Sequence, residues 1–312
     1  MIKVTRYTSE DKARWDQFVS ESRNATFLLL RDYMDYHSTR FIDHSILVHD
    51  AKGALLALLP ANQHDGTLQS HGGLTYGGVI SAASMTTPTM LEVFDAVVLY
   101  LREQEFKRLT YKTIPSIYHR YPAEEDRYAL FRLDARLTRR DVLSVIAQDS
   151  RIPFQKRRQR RIAQATKLAL EIRTAGEFGP FWAILEENLA AAHGVKPVHT
   201  LDEIQMLAKR FPQNIRLHVC LEESNVVAGV VVFDTGQVAH MQYISTSLRG
   251  RETGALDLLF ATLIERDYAQ RAYFDFGISN EDNGRHLNVG LIEQKEGFGA
   301  RAVVHDFYEL TL

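Results

Sequence analysis

The segment from Ala272 to Arg301 combines the residue types that are best suited to chemistry in this chain. It starts as an alternating strand in which Phe274 and Phe276 share one face while Asp275 points to the other. A carboxylate in the middle of such a strand costs free energy unless another group pairs with it. Lys295 follows between two glycine-containing turns, so the segment predicts a catalytic site with an acid and a lysine. The residue types leave an alternative open. In it, Asp275 is a buried carboxylate with a hydrogen-bond partner, and Lys295 is a surface lysine.

A loop of Asn, Asp and Gly residues separates this strand from the lysine. Residues 280–284 read Asn-Glu-Asp-Asn-Gly, a composition that is typical of turns that face ligands. We therefore expect Glu281, inside the loop, and Asn288, just after it, to contact a substrate.

The strand predicted over Gln237–Thr246 supplies further candidates. Its alternation places His240 and Gln242 on one face and Met241 and Tyr243 on the other. His240 can act as a general base, Gln242 can contact a substrate, and Tyr243 can protonate a leaving thiolate. A histidine hydrogen-bonded within the sheet and a tyrosine that fills the core are the structural alternatives.

The segment Ser247–Gly254 joins that strand to a predicted helix and contains two glycines and two arginines. Backbone N–H groups at a helix N-terminus and arginine side chains both bind anions. The pattern predicts a pyrophosphate site formed by four residues, Arg249, Gly250, Arg251 and Gly254. The segment is neither a Walker loop nor a dinucleotide fingerprint, and an ordinary polar loop is the alternative.

Two other polar segments are candidates for contacts with a substrate. The basic run 155–161 contains Arg157, Arg158 and Arg161, which we expect to hold phosphate groups, although a solvated helix face has the same composition. The loop that contains His193 and His199 lacks the spacing of zinc ligands, so we expect no metal there. We expect His199 to face the substrate.

The composition limits the classes of function. The chain has 312 residues, of which 45% are hydrophobic. Its formal net charge of −2 gives no overall electrostatic attraction to nucleic acid or to an anionic membrane. Its one cysteine, Cys220, excludes a disulfide framework and is expected to be a buried thiol. No apolar run is long enough to span a bilayer, and the first residues do not resemble a secretory signal. The sequence thus predicts a cytoplasmic protein.

The order of elements recurs in the two halves of the chain. Each half is predicted to contain a helix, three strands, a helix and a strand, and the helices with the clearest patterns are Phe27–Tyr36, Thr87–Glu105, Phe181–Ala192 and Gly254–Tyr268. We predict an α/β (α+β) protein with domains at 1–150 and 171–312, joined by a basic linker helix at 151–170. Each domain is expected to be a mixed, mostly antiparallel sheet flanked by helices.

The order of strands, Arg/Gly loop, helix and strand resembles the GNAT acyltransferase superfamily, in which this loop binds the pyrophosphate of coenzyme A. Here Glu252 and Thr253 displace the second glycine of the usual loop. The tandem arrangement, the Asp-Phe-Gly sequence at Asp275 and the Lys-x-x-Phe-Gly sequence at Lys295 resemble the Fem-type branch, whose members contain two GNAT-like domains. By this match Lys295 supports negative charge at the reaction centre.

The resemblance implies a transferase. Fem-type members include peptidyltransferases that use aminoacyl-tRNA, and related tandem proteins of surface-polysaccharide pathways acylate amino sugars from acyl-CoA. The charged helical hairpin of some Fem-type enzymes is missing, as is a Trp-Lys pair in the first domain. The expected function is therefore transfer of an acyl group from acyl-CoA, as co-substrate, to the primary amine of a nucleotide-linked amino sugar. The alternatives are a tRNA-dependent peptidyltransferase and a non-catalytic binding module; neither a metal nor a membrane is implied.

Overall fold

The computed structural model describes residues 2–312, except for the side chain of His193. The chain divides into two compact units. The first unit contains the residues up to Asp141 together with Asp282–Arg285 and Val304–Leu312. The second unit contains Val142–Glu281 and His286–Val303. The predicted linker, 151–170, therefore lies within the second unit, and the last residues of the chain belong to the first.

The strands are β1 (Lys3–Arg6), β2 (Ile42–Asp43), β3 (Ile46–His49), β4 (Leu55–Leu59), β5 (Asn62–His64), β6 (Thr67–Gln69), β7 (Ile80–Ser81), β8 (Arg108–Lys112), β9 (Arg136–Ala147), β10 (Leu170–Ala175), β11 (Ile215–Glu222), β12 (Asn225–Asp234), β13 (Val238–Thr246), β14 (Tyr273–Ile278), β15 (Asn280–Glu281), β16 (His286–Leu287) and β17 (Arg301–Thr311). The α-helices are α1 (Lys12–Glu21), α2 (Arg31–Met34), α3 (Thr87–Glu103), α4 (Glu125–Arg132), α5 (Lys156–Ala165), α6 (Gly179–His193), α7 (Leu201–Arg210), α8 (Leu248–Thr253), α9 (Ala255–Thr262) and α10 (Val289–Glu296).

The first unit contains an antiparallel sheet in the order β1-β3-β4-β7 and further strands in the order β2-β5-β6-β8-β17. In the second group β6 and β8 run parallel, whereas the other pairs of neighbours are antiparallel. Residues Phe307–Thr311 of β17 pair with β8, which is why the end of the chain belongs to this unit. Helix α3 covers the core through a stripe that includes Val93, Val97 and Leu101, all buried.

The second unit contains strands in the order β10-β11-β12-β13-β14-β9. All neighbours are antiparallel except β13 and β14, which run parallel. Helix α9 packs its apolar side, including Leu259 and Phe260, against buried residues of the sheet such as Val230 and Phe274. This core holds β13 and β14 in place below the site.

The predicted fold class is confirmed by this mixed, mostly antiparallel arrangement flanked by helices. The predicted helices Thr87–Glu105 and Phe181–Ala192 are found as α3 and α6 with small shifts of their ends. The helix predicted over Phe27–Tyr36 is interrupted, because Leu30 is extended (φ −70°, ψ 144°) and α2 has only four residues.

Two other predicted helices end earlier than expected. Helix α5 ends at Ala165, because the chain joins the sheet as β10 only five residues later, at Leu170. Helix α9 ends at Thr262, and a π-helical turn follows at Leu263–Asp267. Among the residues that the structure describes, no helix has both the length and the apolar character needed to cross a membrane.

Candidate active site in the second unit

The parallel strands β13 and β14 form a fork. They pair over only three residues, and the last pair joins His240 to Asp275. Beyond that pair β13 continues beside β12, whereas β14 bulges against β9 between Asp275 and Ile278. The two strands therefore separate. Beyond the last pair, the backbone N–H and C=O groups of one strand form no ladder hydrogen bonds with the other strand.

A pocket of about 450 Å³ lies along the open part of the fork. Its walls come from the end of β13, from α6, α8, α9 and α10, and from Phe276 of β14, and they are mostly apolar. Of the predicted site residues, Lys295 and Arg251 line this pocket. A pocket of this size and character can take a mostly apolar small molecule or the apolar part of a larger one.

Lys295 is a buried lysine on α10 that faces the fork. Its side-chain Nζ donates to the carbonyl oxygens of Gly277 at 3.1 Å and of Ile278 at 2.5 Å. Burial lowers the pKa of Lys295 to about 8, and the negative charge of Asp275 opposes that shift. An ammonium group has three N–H donors, so one donor remains after the two carbonyls are satisfied.

Asp275 is fully buried and forms a dyad with His240. Its Oδ2 lies 2.8 Å from Nδ1 of His240, and its Oδ1 accepts the backbone N–H of Gly277 at 2.7 Å. Gly277 has a φ of +72°, a conformation that favours glycine. If Nδ1 carries the proton, as a carboxylate partner favours, Nε2 of His240 is a base. The backbone of Gly277 links the dyad to Lys295, because its N–H donates to Asp275 and its carbonyl oxygen accepts from Lys295.

The predicted alternation along β13 is wrong, because the strand contains a bulge at Gln242. Val231 pairs with Tyr243 and the next residue of β12, Val232, pairs with Met241, so Gln242 has no partner across the ladder. Met241 joins the core below α9, whereas Tyr243 contacts Trp182 of α6 at a ring distance of 5.1 Å. His240, on the far side of the bulge, therefore lies on the same sheet face as Tyr243.

The hydroxyl of Tyr243 is hydrogen-bonded to His199. Its Oη accepts the backbone N–H of His199 at 3.2 Å and lies 2.6 Å from Nδ1 of the same residue. Because Oη already accepts a hydrogen bond, the short contact is satisfied when the hydroxyl donates to Nδ1. Burial raises the pKa of Tyr243 to about 12. His199 is likewise buried against Tyr243. The polar groups of these two predicted site residues are therefore hydrogen-bonded to each other.

Replacing Tyr243 with Phe is expected to lower turnover by less than tenfold, because the hydroxyl is committed to His199. Loss of a working general acid costs roughly 10²–10⁴-fold. Steady-state kcat for Y243F against the unchanged protein measures the difference. A fall of 10²-fold or more with an unchanged melting temperature would restore Tyr243 to the chemistry.

The predicted pyrophosphate loop is a short helix, α8, in which the N–H groups of Gly250, Arg251 and Gly254 are already bonded. Ser247 Oγ accepts the N–H of Gly250 at 3.1 Å, and Ser247 O accepts the N–H of Arg251 at 3.0 Å. The N–H of Gly254 bonds Gly250 O, and Gly254 (φ +75°) separates α8 from α9. A Cβ on Gly250 would overlap the carbonyl oxygen of Val227, so this glycine allows α8 to approach β12. The segment thus differs from an open anion-binding loop.

The arginines of α8 have different partners. Arg249 forms a bidentate ion pair with Glu222 at 2.6 and 2.7 Å, and a longer contact of 3.4 Å with Glu252. Arg251 donates to the amide oxygen of Asn188 at 2.8 Å, a neutral partner at the wall of the pocket. Arg251 therefore keeps an uncompensated charge beside the pocket, whereas the charge of Arg249 is neutralised.

Two of the three arginines expected to hold phosphate groups are engaged inside the unit. Arg158 is buried and donates to Asp257 Oδ1 at 2.6 Å, and Arg161 donates to Asp257 Oδ2 at 3.2 Å. Arg161 also donates to the backbone oxygen of Arg251 at 2.5 Å. Only Arg157 is exposed. The basic run therefore anchors α5 to α9 through Asp257 instead of presenting all its charges.

The loop residues predicted to contact a substrate bond each other. Asn288 caps α10 by accepting the N–H of Leu291 at 3.1 Å, and its side-chain amide donates to Glu281 at 3.1 Å. This cap fixes the start of the helix that carries Lys295. The side chain of His193 lies outside the described part of the chain.

Asn188 was missed in the sequence and is central to the pocket wall. Its side-chain amide donates to Ser245 Oγ and to Thr246 O, while its oxygen accepts from Arg251. The available signal was a polar residue inside the apolar stripe of Leu185 and Leu189. Asn188 thereby joins α6, β13 and α8.

Cys220 is buried, and burial raises the pKa of its thiol to about 11, which agrees with the expected unreactive thiol. Among the side chains that the structure describes, no group of three or more His, Cys, Asp or Glu residues is arranged to hold a metal ion.

Residues 155–283, which include the fork, match the Acetyltransferase (GNAT) domain family. Among curated proteins, none matches the sequence.

Solved structures similar to the whole chain include FemX, with a TM-score of 0.69 at 10% identity over 99% of this chain and 97% of that one. L-PGS from Bacillus licheniformis has a TM-score of 0.61 at 13% identity over 98% and 92% of the two chains. A tandem GNAT protein from the clavulanic acid biosynthesis pathway has a TM-score of 0.53 at 10% identity over 100% and 98%. At such identities the similarity concerns the fold, and it agrees with the predicted tandem arrangement.

Proposed function

Because this chain has the tandem GNAT fold of the Fem-type proteins and a GNAT acetyltransferase domain at 155–283, we propose that its second unit is an N-acyltransferase. The reaction would move an acyl group from an activated donor to a primary amine. The observation that carries the proposal is the fork of β13 and β14, where a buried lysine and a His–Asp dyad lie at one opening beside an apolar pocket.

The residues at the fork have complementary roles in the proposed reaction. The amine nitrogen attacks the carbonyl carbon of the donor, a C–N bond forms, and an oxyanion develops on the carbonyl oxygen. Lys295 stabilises that oxyanion with the N–H that its two carbonyl partners leave over. His240 takes the proton of the amine at Nε2, directly or through one water, while Asp275 orients the imidazole. The oxyanion then collapses, the bond from carbon to the leaving sulfur or oxygen breaks, and the leaving group takes up the proton that His240 received.

Acyl-CoA is the donor that we propose first. The match to an acetyltransferase domain supports it, as does an apolar pocket of about 450 Å³ at the fork. The partner of Arg251 at the pocket is the neutral Asn188, so Arg251 can place a positive charge beside the bound donor. The helical form of α8 is less suited to a pyrophosphate, because the N–H groups of Gly250, Arg251 and Gly254 are already bonded.

That same feature of α8 supports the second candidate, an aminoacyl-tRNA donor. Such a donor places an aminoacyl ester at the fork and has no pyrophosphate to be bound by α8. The exposed side chains of Lys156, Arg157 and Arg160 on α5 offer charge to a phosphate backbone. This reading predicts that transfer weakens steeply as salt is raised.

The acceptor that we propose is the primary amine of an amino sugar. If that sugar is linked to a nucleotide, Arg158 and Arg161 are less suited to its phosphates, because both guanidinium groups are held by Asp257 inside the unit. Arg157 is the exposed member of the predicted set. A nucleotide-linked acceptor would therefore need cations other than Arg158 and Arg161 to bind its phosphates.

Acetyl-CoA at 100 times its dissociation constant is expected to stabilise the chain by about 2.7 kcal/mol, seen as a rise in melting temperature. Thiol release from acetyl-CoA in the presence of amino sugars then measures transfer. A matched pair of variants locates the binding: Ala192→Trp fills the pocket wall, while the exposed neighbour Ala191→Trp lies outside it. The rise should vanish in A192W and remain in A191W.

The other outcomes of this experiment decide between the alternatives. Absence of a shift with acetyl-CoA, together with transfer from charged tRNA, replaces the first donor with the second. Absence of binding and of transfer with both donors overturns the proposed enzyme and favours a non-catalytic binding module.

A further inference from the structure

Strand β1 lies at the edge of its sheet in the first unit. It pairs with β3 on one side only, in the order β1-β3-β4-β7. The N–H of Tyr7 donates to the carbonyl oxygen of Ser45, which extends the register of β1 and β3 by one residue. Because backbone groups alternate along an antiparallel strand, those of Val4 and Arg6 point away from β3. No hydrogen-bond partner for them occurs within the described residues, so this edge can pair with another strand.

A groove of about 710 Å³ lies between this edge and α3. Its apolar lining consists of Ile2, Val4, Ala96, Leu99 and Tyr100. Leu99 is 58% exposed, whereas Leu101 of the same helix is fully buried. A segment that pairs with β1 would cover Leu99 and remove its apolar surface from water, which is favourable.

The wall of the groove that α3 forms is acidic. The charged residues of the lining are Lys3 of β1 and three carboxylates of α3, Glu92, Asp95 and Glu103. None of these side chains forms an ion pair with another residue of the described part of the chain. Three carboxylates and one ammonium group leave a net charge of −2 along the groove. The groove therefore favours a cationic occupant.

The acidic wall has the length of a short strand. From Glu92 to Glu103 the helix rises by about 16 Å, at roughly 1.5 Å per residue. An extended segment of about five residues covers the same length. Leu99 lies between these two carboxylates along the groove. Because every second side chain of a strand faces the same way, a segment with basic residues on either side of an apolar one matches the order of groups along α3.

We propose that this groove is the docking site for an extended segment of a partner protein in which basic residues flank an apolar one. The segment pairs with the free edge of β1 through the backbone groups of Val4 and Arg6. Its apolar side chain covers Leu99, and its basic side chains lie beside Glu92 and Glu103. A second copy of this chain fits less well, because a two-fold axis between paired β1 edges places the acidic side of α3 beside the same side of the other copy.

The probe is the peptide Lys-Thr-Leu-Thr-Lys, acetylated and amidated at its ends and titrated into the full chain. Amide hydrogen exchange followed by mass spectrometry should show saturable protection of residues 2–6, and its concentration dependence gives the affinity. The peptide Glu-Thr-Leu-Thr-Glu should bind about tenfold more weakly, because its charges repel the acidic wall. Absence of protection by the lysine peptide, or equal affinity of the glutamate peptide, would overturn the proposal.

Two further peptides test the pairing of strands. One has N-methyl groups on both threonines and the other has one on the leucine, so each lacks the N–H donors of one edge of the segment. The peptide methylated on the edge that faces β1 should bind about tenfold more weakly than the lysine peptide. If both methylated peptides bind as tightly as the lysine peptide, the segment does not add to β1 as a strand.

Variants of the chain locate the docking site on α3. The double variant Glu92→Gln, Asp95→Asn should weaken binding of the lysine peptide about fivefold, the effect of losing two exposed ion pairs. Glu10→Gln, at an exposed carboxylate of the same unit, should leave the affinity unchanged. Leu99→Ala should also weaken binding about fivefold, whereas Phe131→Ala, at an apolar side chain that is 73% exposed, should not. Equal affinities of the groove variants and their controls would sink the proposal.

Sedimentation of the chain without peptide tests the second copy as the occupant. A dimer that dissociates in Leu99→Ala, with residues 2–6 protected from exchange only while the dimer persists, would replace the partner segment with a second copy. A monomer with residues 2–6 unprotected agrees with the proposal. These measurements report on binding at the first unit, so they do not depend on the proposed acyl transfer.

Discussion

Lys295→Met is expected to lower kcat by about 10²–10³-fold, the cost of removing one preorganised donor from an oxyanion. The variant loses the ammonium group that lies against Gly277 O and Ile278 O at the fork, and it keeps the length of the side chain. Steady-state turnover with the donor that stabilises the chain measures the effect. Lys167→Met, at an exposed lysine of the second unit, is the control and should retain full turnover.

The pH profile gives this prediction a second readout. In the proposed reaction the cationic form of Lys295 supports the oxyanion, so kcat should fall as pH rises through about 8, the pKa that burial imposes. The folded pKa lies below the ordinary value of 10.5, so the unfolded chain binds more protons between these values, and the free energy of unfolding should rise with pH there. Both features should disappear in K295M. Unchanged turnover in a folded K295M would remove Lys295 from the mechanism.

Asp257→Asn is expected to lower the free energy of unfolding by about 3 kcal/mol, because it leaves the buried guanidinium of Arg158 without its counter-charge. Arg158 and Asp257 are each 7% exposed and lie 2.6 Å apart, and Arg161 shares the same carboxylate. Urea unfolding followed by circular dichroism measures the change.

Glu265→Gln is the matched control for that variant. Glu265 pairs with Arg151 at 3.4 Å, and its side chain is 51% exposed, so removing its charge should change stability by less than about 1 kcal/mol. Equal effects of D257N and E265Q would show that Asp257 is not the anchor of α5. In that case Arg158 and Arg161 would again be candidates for binding phosphate.

The strand around Asp275 and the helix α3 could be predicted because their patterns are local. Alternation places Phe274 and Phe276 in the core, and the observed strand β14 spans Tyr273–Ile278. The bulge at Gln242 could not be predicted, because it arises from the pairing of β13 with β12 and has no signature in β13 alone. Helix α10 was missed because it is short and contains Gly290.

The sequence by itself determined the fold class and the segment that carries Asp275 and Lys295, because alternation, turn residues and helix stripes act over a few neighbouring positions. Only the tertiary structure decided which charges remain available. Arg158 and Asp257 are 99 positions apart, and Arg249 and Glu222 are 27 apart, yet each pair is in direct contact. Coulombic pairing depends on distance through space, so a basic run in the sequence became an anchor for α5, and Lys295 acquired its altered pKa from burial at the fork.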